Sequence, residues 1–380
     1  MTALYLHIPF CRQKCFYCDF NSSSNLEKKK SYLEALKKEA SLYKNQMEDV
    51  KISSIYLGGG TPSVLGQEDL EDLFLHIKET FDLGEVQEWT MEVNPESGKD
   101  LDFASLKNLG LSRVSMGIQT FHPESLASLG RIHSREDVYT SLKKIRQGGI
   151  KNINGDFMFS FPGQTLGNLE EDLKEIGTLG LSHISYYSFI PEEGTFLGDQ
   201  VLEGTRGAMD ESLDRKMEHR IEDQLKVLGY RQYELSNFTK GKPCIHNLAY
   251  WRIKNYLGLG LSAHSSLGDY RFFNTGDMEV YLEKLGKSQL PIEEREKISK
   301  KDRVLEYIIM GLRLNEGLNV SKIEDRFSLD FEGIFQGALE KNLEAKTLNY
   351  QDGAYVLTAY GRDVANQVEL DFYRTEFDLS

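Results

Sequence analysis

The chain has 380 residues, 40% of them hydrophobic and 27% charged, with 33 Gly and 8 Pro, a composition that excludes fibrous and disordered classes. Its formal net charge of −14 repels phosphate backbones and no basic stretch offsets it, so no nucleic-acid partner is expected. There is no run of apolar residues long enough to span a bilayer, and the N-terminus reaches Pro9 before a signal core can form. These features predict a cytoplasmic protein of two or three domains without an integral membrane segment, and leave peripheral membrane contact open.

The first predicted strand, Ala3 to Ile8, runs directly into Cys11-Arg-Gln-Lys-Cys15-Phe-Tyr-Cys18. The only other cysteine is Cys244, so three of four fall within eight residues, too close for a disulfide framework and suited to metal ligation in a reducing compartment. Three thiolates at this spacing can reach three corners of a [4Fe-4S] cube and leave one iron without a protein ligand. A closed zinc site would need Cys244 or His246 as fourth ligand, and zinc pairs normally have the C-x2-C spacing.

An amphipathic helical pattern follows over Leu26 to Tyr43, then a strand over Ile52 to Leu57 that ends in Gly58-Gly59-Gly60-Thr61-Pro62. Apolar residues at Leu70, Leu73, Phe74, Ile77 and Phe81 mark the next helix. Further strands are predicted at Glu88 to Val93, Arg113 to Ile118, Asn152 to Phe159, which leads into Phe161-Pro162-Gly163, and His183 to Phe189. Six strands alternating with helices imply a parallel sheet, either open and doubly wound or curved into a partial barrel. Either form binds ligands at the carboxyl ends of its strands, and the Cys cluster, the Gly-rich turn, Glu92, Gln119 and Asp156 all fall at that rim.

Gly194 to Gly207 reads as a connection. Met209, Leu213, Met217, Ile221 and Leu225 then form the core-facing stripe of a helix. From Lys300 a helix-rich α+β unit is predicted, with Leu305, Ile308, Ile309 and Leu312 on one face and a short strand at Tyr355 to Leu357. Its helix-turn-helix character suggests DNA binding, but residues 331–380 carry 4 Lys and Arg against 9 Asp and Glu, so a structural role is expected.

The Cys motif after strand 1 and Gly58-Gly59-Gly60-Thr61-Pro62 after strand 2 resemble the radical S-adenosylmethionine (SAM) superfamily. Tyr5-Leu-His-Ile-Pro-Phe-Cys11, Met91-Glu92-Val-Asn94-Pro95, Gly117-Ile-Gln119-Thr-Phe121, Leu129-Gly-Arg131, Asp156 and Phe161-Pro-Gly-Gln164-Thr165 look like the branch that holds oxygen-independent coproporphyrinogen dehydrogenases and haem chaperones. The resemblance implies a partial (β/α)6 barrel over residues 1–235, a connecting region over 236–299 and a winged-helix-like module over 300–380. It implies Cys11, Cys15 and Cys18 as ligands of a [4Fe-4S] cluster, and Tyr5, Gly59, Gly60, Thr61, Glu92, Gln119, Arg131 and Asp156 as contacts of SAM.

Two departures separate the branch members. Phe20 stands where the dehydrogenases carry a further cysteine, and only ten residues precede Cys11 where they have a long arm. Both favour the chaperones, as does His246-Asn247-Leu-Ala-Tyr250-Trp251, which matches their H-N-x-x-Y-W signature. The resemblance therefore implies a haem chaperone with His246, Asn247, Tyr250 and Trp251 at the haem, a haem-accepting partner protein and an electron donor for the cluster. The alternative is coproporphyrinogen III dehydrogenation to protoporphyrinogen IX by a SAM-derived radical.

Overall fold

The computed structural model describes residues 1–44, 50–208 and 210–379; Met209, the first residue of the predicted stripe, lies outside them. Six parallel strands form the centre: β1 (Thr2–Ile8), β2 (Ile52–Gly59), β3 (Glu88–Val93), β4 (Arg113–Gln119), β5 (Asn152–Phe159) and β6 (His183–Ser188), paired in chain order. Their bounds match the sequence reading to within one or two residues. Reciprocal capping boxes at Ser134 and Thr165 start the helices Arg135–Gln147 and Leu166–Leu179, so the chain turns sharply from rim loop to helix.

Register explains what faces where. Tyr5 pairs with Tyr56, Tyr56 with Thr90, Glu92 with Ser115, Gly117 with Asp156, and Asp156 with Ser185, which puts this polar row on one face of the sheet. The alternate residues, among them Leu4, Leu57, Met91, Val114 and Ile153, are buried beneath the helices. Side chains of β1, β2, β4, β5 and β6 line one common cavity, so the sheet curls round a polar lumen as a partial barrel.

The stretch predicted as a connecting region, together with residues 231–234 just before it, extends this sheet at both edges. On one side β6 pairs with β8 (Asn237–Thr239) and then β7 (Arg231–Glu234). On the other, β1 carries β9 (Tyr256–Leu259), β10 (His264–Leu267), β11 (Tyr270–Asn274) and β12 (Ile292–Lys297). Glu39, fully buried on the helix Lys29–Lys44, secures the added strands by accepting from Gly260 N, Asn274 Nδ2 and the Tyr281 hydroxyl. Between β8 and β9 the short helix Ile245–Trp251 crosses beneath the lumen.

A second core starts at Val304 and runs to Phe372, under helices Lys300–Leu312, Val320–Phe327 and Phe331–Glu344 and a small sheet of β13 (Leu318–Asn319), β15 (Ala354–Leu357) and β14 (Leu348–Gln351). Among the described residues no helix is long and apolar enough to cross a membrane.

Candidate functional site

The three clustered cysteines lie in a loop clamped to the barrel by main-chain bonds. Cys11 N donates to Ser23 O, Gly60 N to Ile8 O, Thr61 N to Phe10 O, Phe16 N to Leu129 O and Leu197 N to Phe16 O. Burial pushes the Cys18 thiol up to about 11, opposed by a backbone hydrogen bond and reinforced by Cys15 and Cys11, so the three sulfurs share one electrostatic neighbourhood. Two donors aim at these sulfurs: Thr61 Oγ1 lies 3.5 Å from Cys11 Sγ and Arg131 Nη1 3.5 Å from Cys15 Sγ. Thiols met by hydrogen-bond donors suit cluster thiolates, whose charge such donors stabilise, although among the described residues no three metal-ligating side chains stand together as a ready-made site.

Arg131 is held from every side. Its Nη2 donates to Gly117 O at 2.6 Å and Asn94 Oδ1 at 3.0 Å, and its Nε to His133 Nδ1 at 3.4 Å. Asn94 also donates to Thr61 Oγ1, joining the turn after β2 to the arginine. His133, kept neutral at about 3 by burial and then by Arg131, is anchored on Ile118 O.

The amides of the Gly-rich turn are engaged within the protein. Gly59 N donates to Glu92 Oε2, and the Gly60 and Thr61 amides are spent on β1 and the Cys loop. Thr61 O accepts from Val64 N, which leaves the Gly60 carbonyl for a ligand, and a carbonyl suits an ammonium. A Cβ on Gly60 would stand 2.7 Å from Phe10 O and 2.9 Å from both Ile8 O and Phe10 N. Gly60 is therefore required by the packing of the Cys loop, whatever contact it makes with SAM.

Glu92 accepts from the Tyr56 hydroxyl at 2.8 Å, and burial lifts its pKa to about 8. Folded protein thus keeps a proton that the unfolded chain loses near 4.5, so the stability it contributes is complete below pH 4.5 and is lost as pH rises towards 8. In the ligand-free protein Glu92→Gln should flatten that loss, measured by denaturant midpoints at pH 5 and pH 8.

Asp156 accepts from Ser115 Oγ and Asn154 Nδ2, and Tyr5 contacts His7 Nδ1 at 3.0 Å. Gln119 adopts φ +67 at the end of β4, a conformation rare outside glycine. The strain is stabilised from behind, where Asp172 accepts from Thr120 Oγ1 and Phe121 N. Gln119 Oε1 is fixed by the Tyr187 hydroxyl at 2.8 Å.

The H-N-x-x-Y-W segment lies at the other end of the strands. Glu88, the first residue of β3, accepts from Ile245 N and the Cys244 thiol and so caps the helix Ile245–Trp251 onto the floor of the barrel. Cys244 and His246 are thus a strand's length from the other three cysteines, which removes the fourth ligand that a zinc site would need. His246 is 1% exposed, with Nδ1 3.0 Å from Ser54 Oγ and Nε2 2.9 Å from the Tyr250 hydroxyl. Burial, then Arg113, hold it neutral at about 3. As placed, it has no free ring nitrogen for haem iron.

Between rim and floor lies a cavity of about 230 Å3 whose lining includes Tyr5, Tyr56, Asp156, His246, Asn247 and Tyr250. Arg113 also lines it, 3% exposed, with its Nε buried and without a partner. The sequence reading passed over this residue, although Arg113-Val-Ser115-Met-Gly117 alternates polar and apolar inside a buried strand, the pattern of a polar lumen.

A model described as the radical SAM superfamily matches residues 5–176, and one described as the HemN C-terminal domain matches residues 298–364. Heme chaperone HemW of Bacillus subtilis is 31% identical over 97% of this chain and 98% of its own length. HemW of Lactococcus lactis is 34% identical over 97% and 96%. The chain belongs to the HemW family. Among solved structures, the coproporphyrinogen III oxidase HemN of Escherichia coli covers 98% of this chain and 89% of its own with a TM-score of 0.86, but at 23% identity this establishes the shared fold alone. Radical SAM membership implies SAM and a [4Fe-4S] cluster, and the two donors on Cys11 and Cys15 suit the thiolates of such a cluster.

Proposed function

We propose that the protein is a haem chaperone on a radical SAM core, which binds one haem and passes it to an acceptor protein in the cytoplasm. The observation that carries this reading is the match along nearly the whole chain to relatives named heme chaperones. Cys11, Cys15 and Cys18 would hold the [4Fe-4S] cluster, which when bound would supply one-electron reducing chemistry toward SAM. Glu92 and the Gly60 carbonyl receive the methionine amine, on the turn that Gly59 and Thr61 shape. Arg131 orients the carboxylate beside Cys15, Gln119 and Asp156 take ribose hydroxyls, and Tyr5 closes the lumen beneath them.

Haem belongs in this reading to a second conformation, in which Tyr250 has released His246 Nε2 and Asn247, Tyr250 and Trp251 flank the porphyrin. His246→Ala should broaden or remove the Soret band of the haem-loaded protein while iron and sulfide content stay at wild-type levels, because floor and rim share no ligands. Loss of the cluster in this variant, or an unaltered Soret band, would remove His246 from the haem site.

A further inference from the structure

The lumen is too small for a porphyrin. Its cavity of about 230 Å3 falls below the roughly 300–1,000 Å3 of pockets for drug-sized ligands. Both nitrogens of His246 are also engaged. As it stands the lumen does not admit haem, and a groove of about 560 Å3 opens where the floor helix ends. Arg252 and Lys254, just after Trp251 of the motif, form one wall, and Lys322 and Arg326 of the C-terminal module form the other.

Two of these four cations build the groove. Arg252 forks onto Glu316 with both contacts at 3.0 Å. Arg326 donates to the carbonyls of Arg252 and Ile253 at 3.1 and 2.7 Å and lies 4.8 Å from the ring centroid of Tyr307. The module is thereby fastened to the end of the motif helix. Lys254 and Lys322 are exposed, and their ammonium groups make no hydrogen bond or ion pair among the described residues. With Glu316 spent on Arg252, Asp352 is the one other carboxylate in the lining. The groove is thus cationic on a chain whose net charge of −14 repels anions.

We propose that this groove is the docking site of haem, an iron porphyrin dicarboxylate, with its two propionates on Lys254 and Lys322 and its ring against Tyr307. The site rests on the haem-chaperone reading. It places the macrocycle at the end of the helix that carries His246, on the floor side of the barrel and away from the Cys loop at the rim. Surface ammonium groups suit this task, since they attract the dianion without the desolvation that a buried pair would cost.

The test is a Soret titration of haem into the full-length, cluster-reconstituted protein, comparing wild type with K254E/K322E and with K143E/K144E. The second pair changes net charge equally from the exposed face of the helix Arg135–Gln147. K254E/K322E should weaken haem binding about tenfold or more, with iron and sulfide unchanged, while K143E/K144E titrates as wild type. Wild-type affinity in K254E/K322E would overturn the groove and leave the chaperone reading standing. Equal weakening in both pairs would also overturn it, by reducing the effect to net charge. A wild-type protein that takes up no haem would overturn both.

Discussion

Alanine at Cys11, Cys15 or Cys18 should each reduce the iron content of the anaerobically reconstituted protein from about four per chain to near zero and abolish its thiolate-to-iron absorption. Each sulfur is one of three that the loop can supply, and a [4Fe-4S] cluster with an open iron has none to spare. Cys244→Ala should keep the full cluster. Its thiol lies on Glu88 Oε1 at 3.2 Å, under the opposite end of the barrel, and burial holds it protonated with a pKa near 12. Iron and sulfide assays on the four variants check this, and loss of iron in Cys244→Ala alone would reverse the ligand assignment.

Gly60→Val should be nearly as severe, and by another route. A Cβ at this position meets main-chain atoms of Phe10 and Ile8 at 2.7 to 2.9 Å, closer than real Cβ contacts come, and those atoms belong to the strand end that leads into Cys11. Flexible side chains could yield, but here the backbone of the Cys loop must shift, at a cost at or above the roughly 1–3 kcal/mol of ordinary overpacking. Cluster content and SAM binding should therefore fall together, as measured by iron assay and equilibrium dialysis with SAM. A variant that keeps four irons and loses SAM alone would show that Gly60 acts at the ligand and not through the Cys loop.

The barrel was legible because its strands carry their periodicity in β-branched and aromatic residues and end in unmistakable turns, as at Gly58 to Pro62 and Phe161 to Gly163. The rim residues followed from topology, since parallel strands deliver their carboxyl ends to one edge. What the sequence hid depends on distant contacts. That Gly60 is pressed against Phe10, that Arg131 reaches Cys15 rather than solvent, and that Gln119 is held in a strained turn by Asp172 all involve partners far apart in the chain. The place of His246 was hidden most completely. Its motif is local, but its burial arises because the chain passes under the barrel between β8 and β9 and is capped there by Glu88, 158 residues earlier.

Haem chaperone activity requires a stoichiometric haem site on a protein that also carries the cluster. Anaerobic titration of haem into the reconstituted protein, followed at the Soret band, tests this most directly. The account predicts saturation at one haem per chain with four irons and four sulfides retained beside it. Failure to saturate, or haem uptake that expels the cluster, would contradict it.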